Sequence, residues 1–127
     1  MSFKMDFADA LSSKPATIQK IAKQLRALVL GQLPTATESV VGGEPSLSVL
    51  YSIDNPNNVI CGIQPGKKLC LFYLHNIREE DSEILKLEGL GEGNRHVKFD
   101  QPLDADTESE LGRLLHLAAG RAVATEE

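Results

Sequence analysis

From Pro15 to Leu30 the apolar residues Ile18, Ile21, Ala22, Leu25, Leu28 and Val29 recur at steps of three and four, the spacing that gathers side chains on one stripe of a helix. Ser13 is placed to cap this helix, Pro15 suits its first turn, and Gly31 with Pro34 is expected to stop it. Past Pro34 the period drops to two. Leu47, Val49, Tyr51 and Ile53 alternate with Ser46, Ser48, Leu50 and Ser52, which predicts a half-buried strand, and a shorter strand is predicted from Glu38 to Val41. Asp54-Asn55-Pro56-Asn57-Asn58 and Gln64-Pro65-Gly66-Lys67 are dense in turn formers and divide a meander of neighbouring strands. Val59 to Ile63 is one of these strands. Lys68 to Leu74 is another, so nearly continuous in apolar residues that it predicts an inner strand covered on both faces.

The flanks are less regular. Residues 1 to 13 mix Phe3, Met5, Phe7 and Leu11 with charges and read as a short lead-in packed against the body. Residues 78 to 88 carry Glu79, Glu80, Asp81 and Glu83 beside Ile84, Leu85 and Leu87, a short solvent-facing helix or a turn, broken by Gly89, Gly91 and Gly93. Arg95 to Phe99 predicts a last strand with His96 and Lys98 on one face and Arg95, Val97 and Phe99 on the other, core-like one. A closing helix is capped by Asp106 or Thr107, with Glu110 in a capping box and Leu111, Leu114, Leu115, Ala118 and Ala122 as its buried stripe. Helix, strands, a short piece, a strand and a helix make one α+β domain over residues 1–127.

Composition narrows the function. With 127 residues, 42% of them hydrophobic, the chain suffices for one core. Its net charge of −5 disfavours nucleic acid, whose binding depends on clustered Lys and Arg. Cys61 and Cys70 are too few for a disulfide framework or a zinc knuckle and fit free buried thiols in a reducing cytoplasm. Met1 to Asp6 offers no apolar run with a cleavage site and no long apolar span follows, so neither export nor membrane insertion is expected.

Candidate chemistry is sparse. Gly89-Leu90-Gly91-Glu92-Gly93 has the glycine density of a phosphate loop, but it follows helical residues and enters a strand, the reverse of a nucleotide fingerprint. A loop needing positive φ is the simpler reading. His75, His96 and His116 lack metal-ligand spacing, His75 serving as a strand end and His116 in a helix-terminal or core role. No exposed nucleophile elbow occurs, and the acids at 79–83 and 100–110 lack the spacing of a calcium loop. No catalytic residue, metal or cofactor is therefore expected. Residues 1 to 33 carry five basic and two acidic side chains, with Lys20, Lys23 and Arg26 opposite the apolar stripe, a basic strip that is either an anion-binding face or a solvated one.

The pattern Pro34, Glu38, Gly43, Pro45, followed by a glycine loop and the basic strand Arg95-His96-Val97-Lys98, resembles the YdhG-like family of domains of unknown function over about residues 15 to 122. The resemblance implies an α+β fold with an antiparallel sheet packed by N- and C-terminal helices. One bacterial member is described as a frataxin-like intracellular iron chaperone, a role that implies an acidic first helix, where this chain has Lys20, Lys23 and Arg26.

The resulting expectation is a small cytoplasmic, non-enzymatic binding domain. Its site would combine Glu38 with Arg95, His96 and Lys98, joined by Tyr73 and His75, and its partner would be a small molecule or a protein, a second copy of the chain included. Glu38 and Arg95 could instead make a structural ion pair. Two alternatives stand beside it: iron delivery through the acids after residue 78, and an enzyme acting on a small anionic metabolite with His96 as proton carrier, which requires a concave pocket there.

Overall fold

A computed structural model of the chain describes residues 6–42, 47–55, 57–89 and 93–125. Phe3, Met5, the Gly43 and Pro45 of the family pattern, Pro56, Leu90 to Glu92 and the terminal Glu126-Glu127 lie outside the described residues. The elements are α1 (Phe7–Leu11), α2 (Ala16–Gln32), β1 (Thr37–Val41), β2 (Ser48–Ser52), β3 (Val59–Pro65), β4 (Cys70–His75), β5 (Asn94–Phe99) and α3 (Ala105–Thr125), with one 3-10 turn at Glu79–Asp81. The five strands form one antiparallel sheet in chain order.

The lead-in is a real helix because Asp6 and Asp9 cap it reciprocally, and it buries Phe7, Ala10 and Leu11. In α2 the predicted stripe is the buried one: Ile18, Ile21, Ala22, Leu25 and Val29. Its ends differ from expectation. Pro15 holds the capping position in place of Ser13, its carbonyl accepting from the Gln19 N–H at 3.0 Å. Gly31 is helical, and the chain leaves only at Leu33, which Pro34 bars from helical geometry. In α3 the cap is Asp104, whose carboxylate accepts from the Thr107 N–H at 2.8 Å and whose carbonyl accepts from Glu108 at 3.0 Å. Asp106 and Thr107 therefore lie inside the helix. Glu110, freed from any capping box, takes hydrogen bonds from Ser82 and Arg113.

Period two decides which side of the sheet meets the helices. The rows Val49, Ile63, Phe72, Val97 and Tyr51, Cys61, Leu74 are buried, and they face α2 and α3, which pack on each other and on β3 and β4. Opposite β3 a register slip lies between Tyr51 and Ser52, and the consecutive residues Ile60 and Cys61 are both buried. The other face stays open. β4 is inner by position, yet burial alternates along it: Cys70, Phe72 and Leu74 are enclosed while Leu71, Tyr73 and His75 are half-exposed. The expectation of cover on both faces fails because both amphipathic helices choose the same side.

The segment after β4 is a turn rather than a helix. It runs through Glu79–Asp81 and ends at Glu88, which exchanges both backbone hydrogen bonds with His96, at 2.9 and 2.8 Å. Gly89 and Gly93 have φ of 148° and 82°, as a loop needing positive φ requires.

Candidate functional site

Glu38 sits on β1 facing α2, where it is tied down from two sides. Arg26 grips it in bidentate fashion, Nε to Oε2 at 2.8 Å and Nη2 to Oε1 at 3.2 Å, and the Tyr51 hydroxyl donates to Oε2 at 2.6 Å. Tyr51 is the cross-strand neighbour of Glu38 and is fully buried. Arg26 in turn lies 4.9 Å over the Phe7 ring. Burial alone would raise the Glu38 pKa, but the bonds from Arg26 and Tyr51 outweigh it and hold the carboxyl below its ordinary range. Burial and the adjacent carboxylate push the Tyr51 phenol far up, so it remains a donor. Arg26 is thereby withdrawn from the basic strip, leaving Lys20 and Lys23 exposed beside a shallow depression of about 600 Å³. Asp6, Phe7, Lys23, Arg26, Leu30 and Glu38 line a neighbouring one of about 450 Å³.

Arg95 belongs to the same sheet row as Glu38 but at its far end, since the register runs Glu38, Tyr51, Cys61, Leu74, Arg95. The two cannot touch. Both halves of the expected pairing, shared ligand site and structural ion pair, are corrected by this geometry. The partner of Glu38 is Arg26.

The remaining four expected residues do come together, on the open face. Register sets Tyr73 beside His96, Leu71 beside Lys98, and His75 beside Asn94. The rings of Tyr73 and His96 lie 5.5 Å apart, tilted by 46°. Tyr73 donates its hydroxyl to Gln64 Oε1 at 2.8 Å, and Lys98 Nζ stands 3.5 Å from Glu88 Oε2. Burial lowers the pKa of His75, favouring its neutral imidazole. On the other flank of Tyr73, Gly62 has no side chain, so Leu50 leans across it. The result is a shallow platform of Leu50, Leu71 and Tyr73 bordered by imidazoles and a lysine. The four described depressions lie elsewhere, and His96 lines none of them.

Two of the acids after residue 78, Asp81 and Glu110, are held by arginines. Arg121 takes both oxygens of Asp81, at 2.6 and 3.0 Å, and also bonds the Asn76 carbonyl, while Arg113 holds Glu110 and the Asp81 carbonyl. This pulls Asp81 down to about 2, chiefly through the Arg121 hydrogen bond. Among the described residues no three of His, Cys, Asp and Glu stand close enough to share a metal ion. Cys61 and Cys70 are free and buried on the helix-covered face, and desolvation raises both thiols, Cys70 to about 12. His116 is exposed on α3 and bonds Gln32, so a core role is corrected to a link between α2 and α3.

Sequence reasoning placed Arg26 in a surface strip and Tyr51 in the core without joining either to Glu38. The signal was present: Arg26 follows Ala22 by four and so flanks the buried stripe, where a guanidinium reaches a strand edge. No protein-family model, no curated protein and no solved structure matches the chain significantly. Among the described residues no helix is long and apolar enough to cross a membrane.

Proposed function

We propose that this chain is a small, cytoplasmic, non-enzymatic binding domain of YdhG-like type whose contact surface is the open sheet face around Tyr73, His75, His96 and Lys98. One observation carries the proposal: α2 and α3 both cover the same side of the sheet, and four of the six residues singled out as candidates share the side left open. A shallow apolar platform with a half-exposed ring and a bordering lysine suits a partner that offers a flat or apolar group for Tyr73 and Leu71 and an anionic group for Lys98. The family assignment is supported by Glu38 and by Arg95-His96-Val97-Lys98 entered from a glycine loop.

Glu38 and Arg95 drop out of the contact surface in this reading. The first is consumed by Arg26 and Tyr51, and the second points to the helix side. Iron delivery gains no observation in its favour, because Asp81 and Glu110 already neutralise arginines.

Native mass spectrometry of the chain purified from its own cell provides the test. The wild type is expected to carry added mass that Tyr73→Ala and Lys98→Glu lose and Glu38→Gln retains. Added mass that survives both open-face substitutions and disappears with Glu38→Gln would overturn the assignment.

A further inference from the structure

We infer that β1 is a self-pairing edge, through which two copies of the chain join antiparallel about Ser39 into one ten-stranded sheet. The inference is independent of the ligand platform at β4 and β5.

The two edges of the sheet are unlike. At β5 the outward N–H and C=O of His96 are both consumed by Glu88, so that edge is blocked at its middle. At β1, Thr37–Val41 pairs with β2 alone, in unbroken register, and its backbone has no partner on the outer side among the described residues. Alternate residues of an edge strand point both backbone groups outward, ready to extend the ladder.

On its outward positions β1 carries no charge, proline or bulge to guard the edge. Thr37, Ser39 and Val41 are exposed and neutral, with no proline, lysine or bulge in the strand. Val41 is 42% exposed, one of few large apolar side chains in the fold left so open. The only charge on β1 is Glu38, and Arg26 has already neutralised it. A chain with a net charge of −5 thus presents an uncharged strip to its own copy.

Antiparallel pairing about Ser39 is also self-complementary. It sets Ser39 against Ser39, Thr37 against Val41, and Glu38 against Val40, so the two Glu38 carboxylates never stand opposite each other. Val41 gains a β-branched cross-strand neighbour on the open face, which covers it. Five residues per strand make a contact smaller than the ~1,200 Å² of a standard stable interface, so the association is expected to be reversible and concentration-dependent.

Sedimentation equilibrium of the full chain over a concentration series provides the test. The mass of the wild type is expected to rise from 13.8 kDa toward twice that value. Ser39→Lys and Ser39→Glu, exposed substitutions that set like charges across the dyad, are each expected to remain monomeric with an unchanged circular dichroism spectrum. An equimolar mixture of the two should dimerise again, because lysine then faces glutamate. A wild type monomeric at every concentration, a Ser39→Lys variant that dimerises like the wild type, or a mixture that stays monomeric would each overturn the inference. So would a dimer abolished by Leu71→Glu and untouched by Ser39→Lys, which would move the contact from the edge to the open face.

Discussion

Glu38 and Arg95 occupy opposite ends of one cross-strand row, with Tyr51, Cys61 and Leu74 between them. Four interstrand steps of ~4.8 Å put their backbones roughly 19 Å apart. Both residues face the helices, yet each answers to a different neighbourhood, and Glu38 answers to Arg26.

That assignment predicts where energetic coupling will be found. In a double-mutant cycle, Arg26→Met and Glu38→Gln should couple by about 1 kcal/mol, a value kept low because the Arg26 side chain is 42% exposed. Arg95→Met and Glu38→Gln should be additive within about 0.5 kcal/mol. Urea denaturation of the three single variants and the two doubles checks both. A coupling between Arg95 and Glu38 as large as that with Arg26 would contradict the sheet order.

Acid sensitivity should trace to the strap between α3 and the turn after β4. Asp81 falls from an ordinary 3.8 to about 2 because Arg121 binds it. A depressed folded-state pKa means that the contribution is complete above the unfolded value and is lost as pH falls through the folded one. Thermal unfolding between roughly pH 4 and 2 should therefore show a steep loss of Tm in the wild type. Arg121→Met should cost about 1–2 kcal/mol at neutral pH and flatten the loss over that interval. An equally steep acid transition in the variant would show that the arginine is not the source.

Much of the architecture is legible in the chain, and the failures have physical causes. Ile18, Ile21, Leu25 and Val29 announce α2 because one stripe of a helix must be buried, and Val49 with Tyr51 announces β2 by strict alternation. The run Leu69 to Leu74 reads as doubly covered because composition records which residues tolerate burial, not which side the helices take. Asp104 is missed as a cap since Asp104, Asp106 and Thr107 all satisfy the local rule, and only the first helical residue decides among them. At the candidate site, period two correctly set His96 and Lys98 apart from Arg95. Separating Glu38 from Arg95 required the strand order, which is a nonlocal property and leaves no trace in either segment.

The two thiols should be inert in the folded chain. Cys61 and Cys70 are both buried, and desolvation raises both above the ordinary thiol range. A disulfide-exchange reagent at pH 8 is expected to modify neither over minutes under native conditions and both after unfolding in guanidinium. Rapid native modification of either would place it at a surface and contradict the covered face of β3 and β4.

Gly62 offers the sharpest test of the platform because its neighbours crowd the position a side chain would take. A Cβ there would stand 3.0 Å from Leu50 Cδ2 and 3.2 Å from the Val49 carbonyl oxygen. The leucine can rotate away, but the carbonyl belongs to the ladder between β2 and β3 and cannot. Gly62→Ala should therefore cost about 1–2 kcal/mol, and Gly62→Val more, as overpacking against fixed backbone does. The displaced Leu50 would also leave the flank of Tyr73. Urea denaturation measures the first effect, and the Tyr73 ring resonances, perturbed by Gly62→Ala but unmoved by Gly120→Ala on α3, measure the second. Gly120 has open space around its own Cβ position, so its substitution controls for the gain of a methyl group alone. A Gly62→Ala variant as stable as the wild type would mean that Leu50 does not lie over β3, and the flat apolar ground beside Tyr73 would be lost with it.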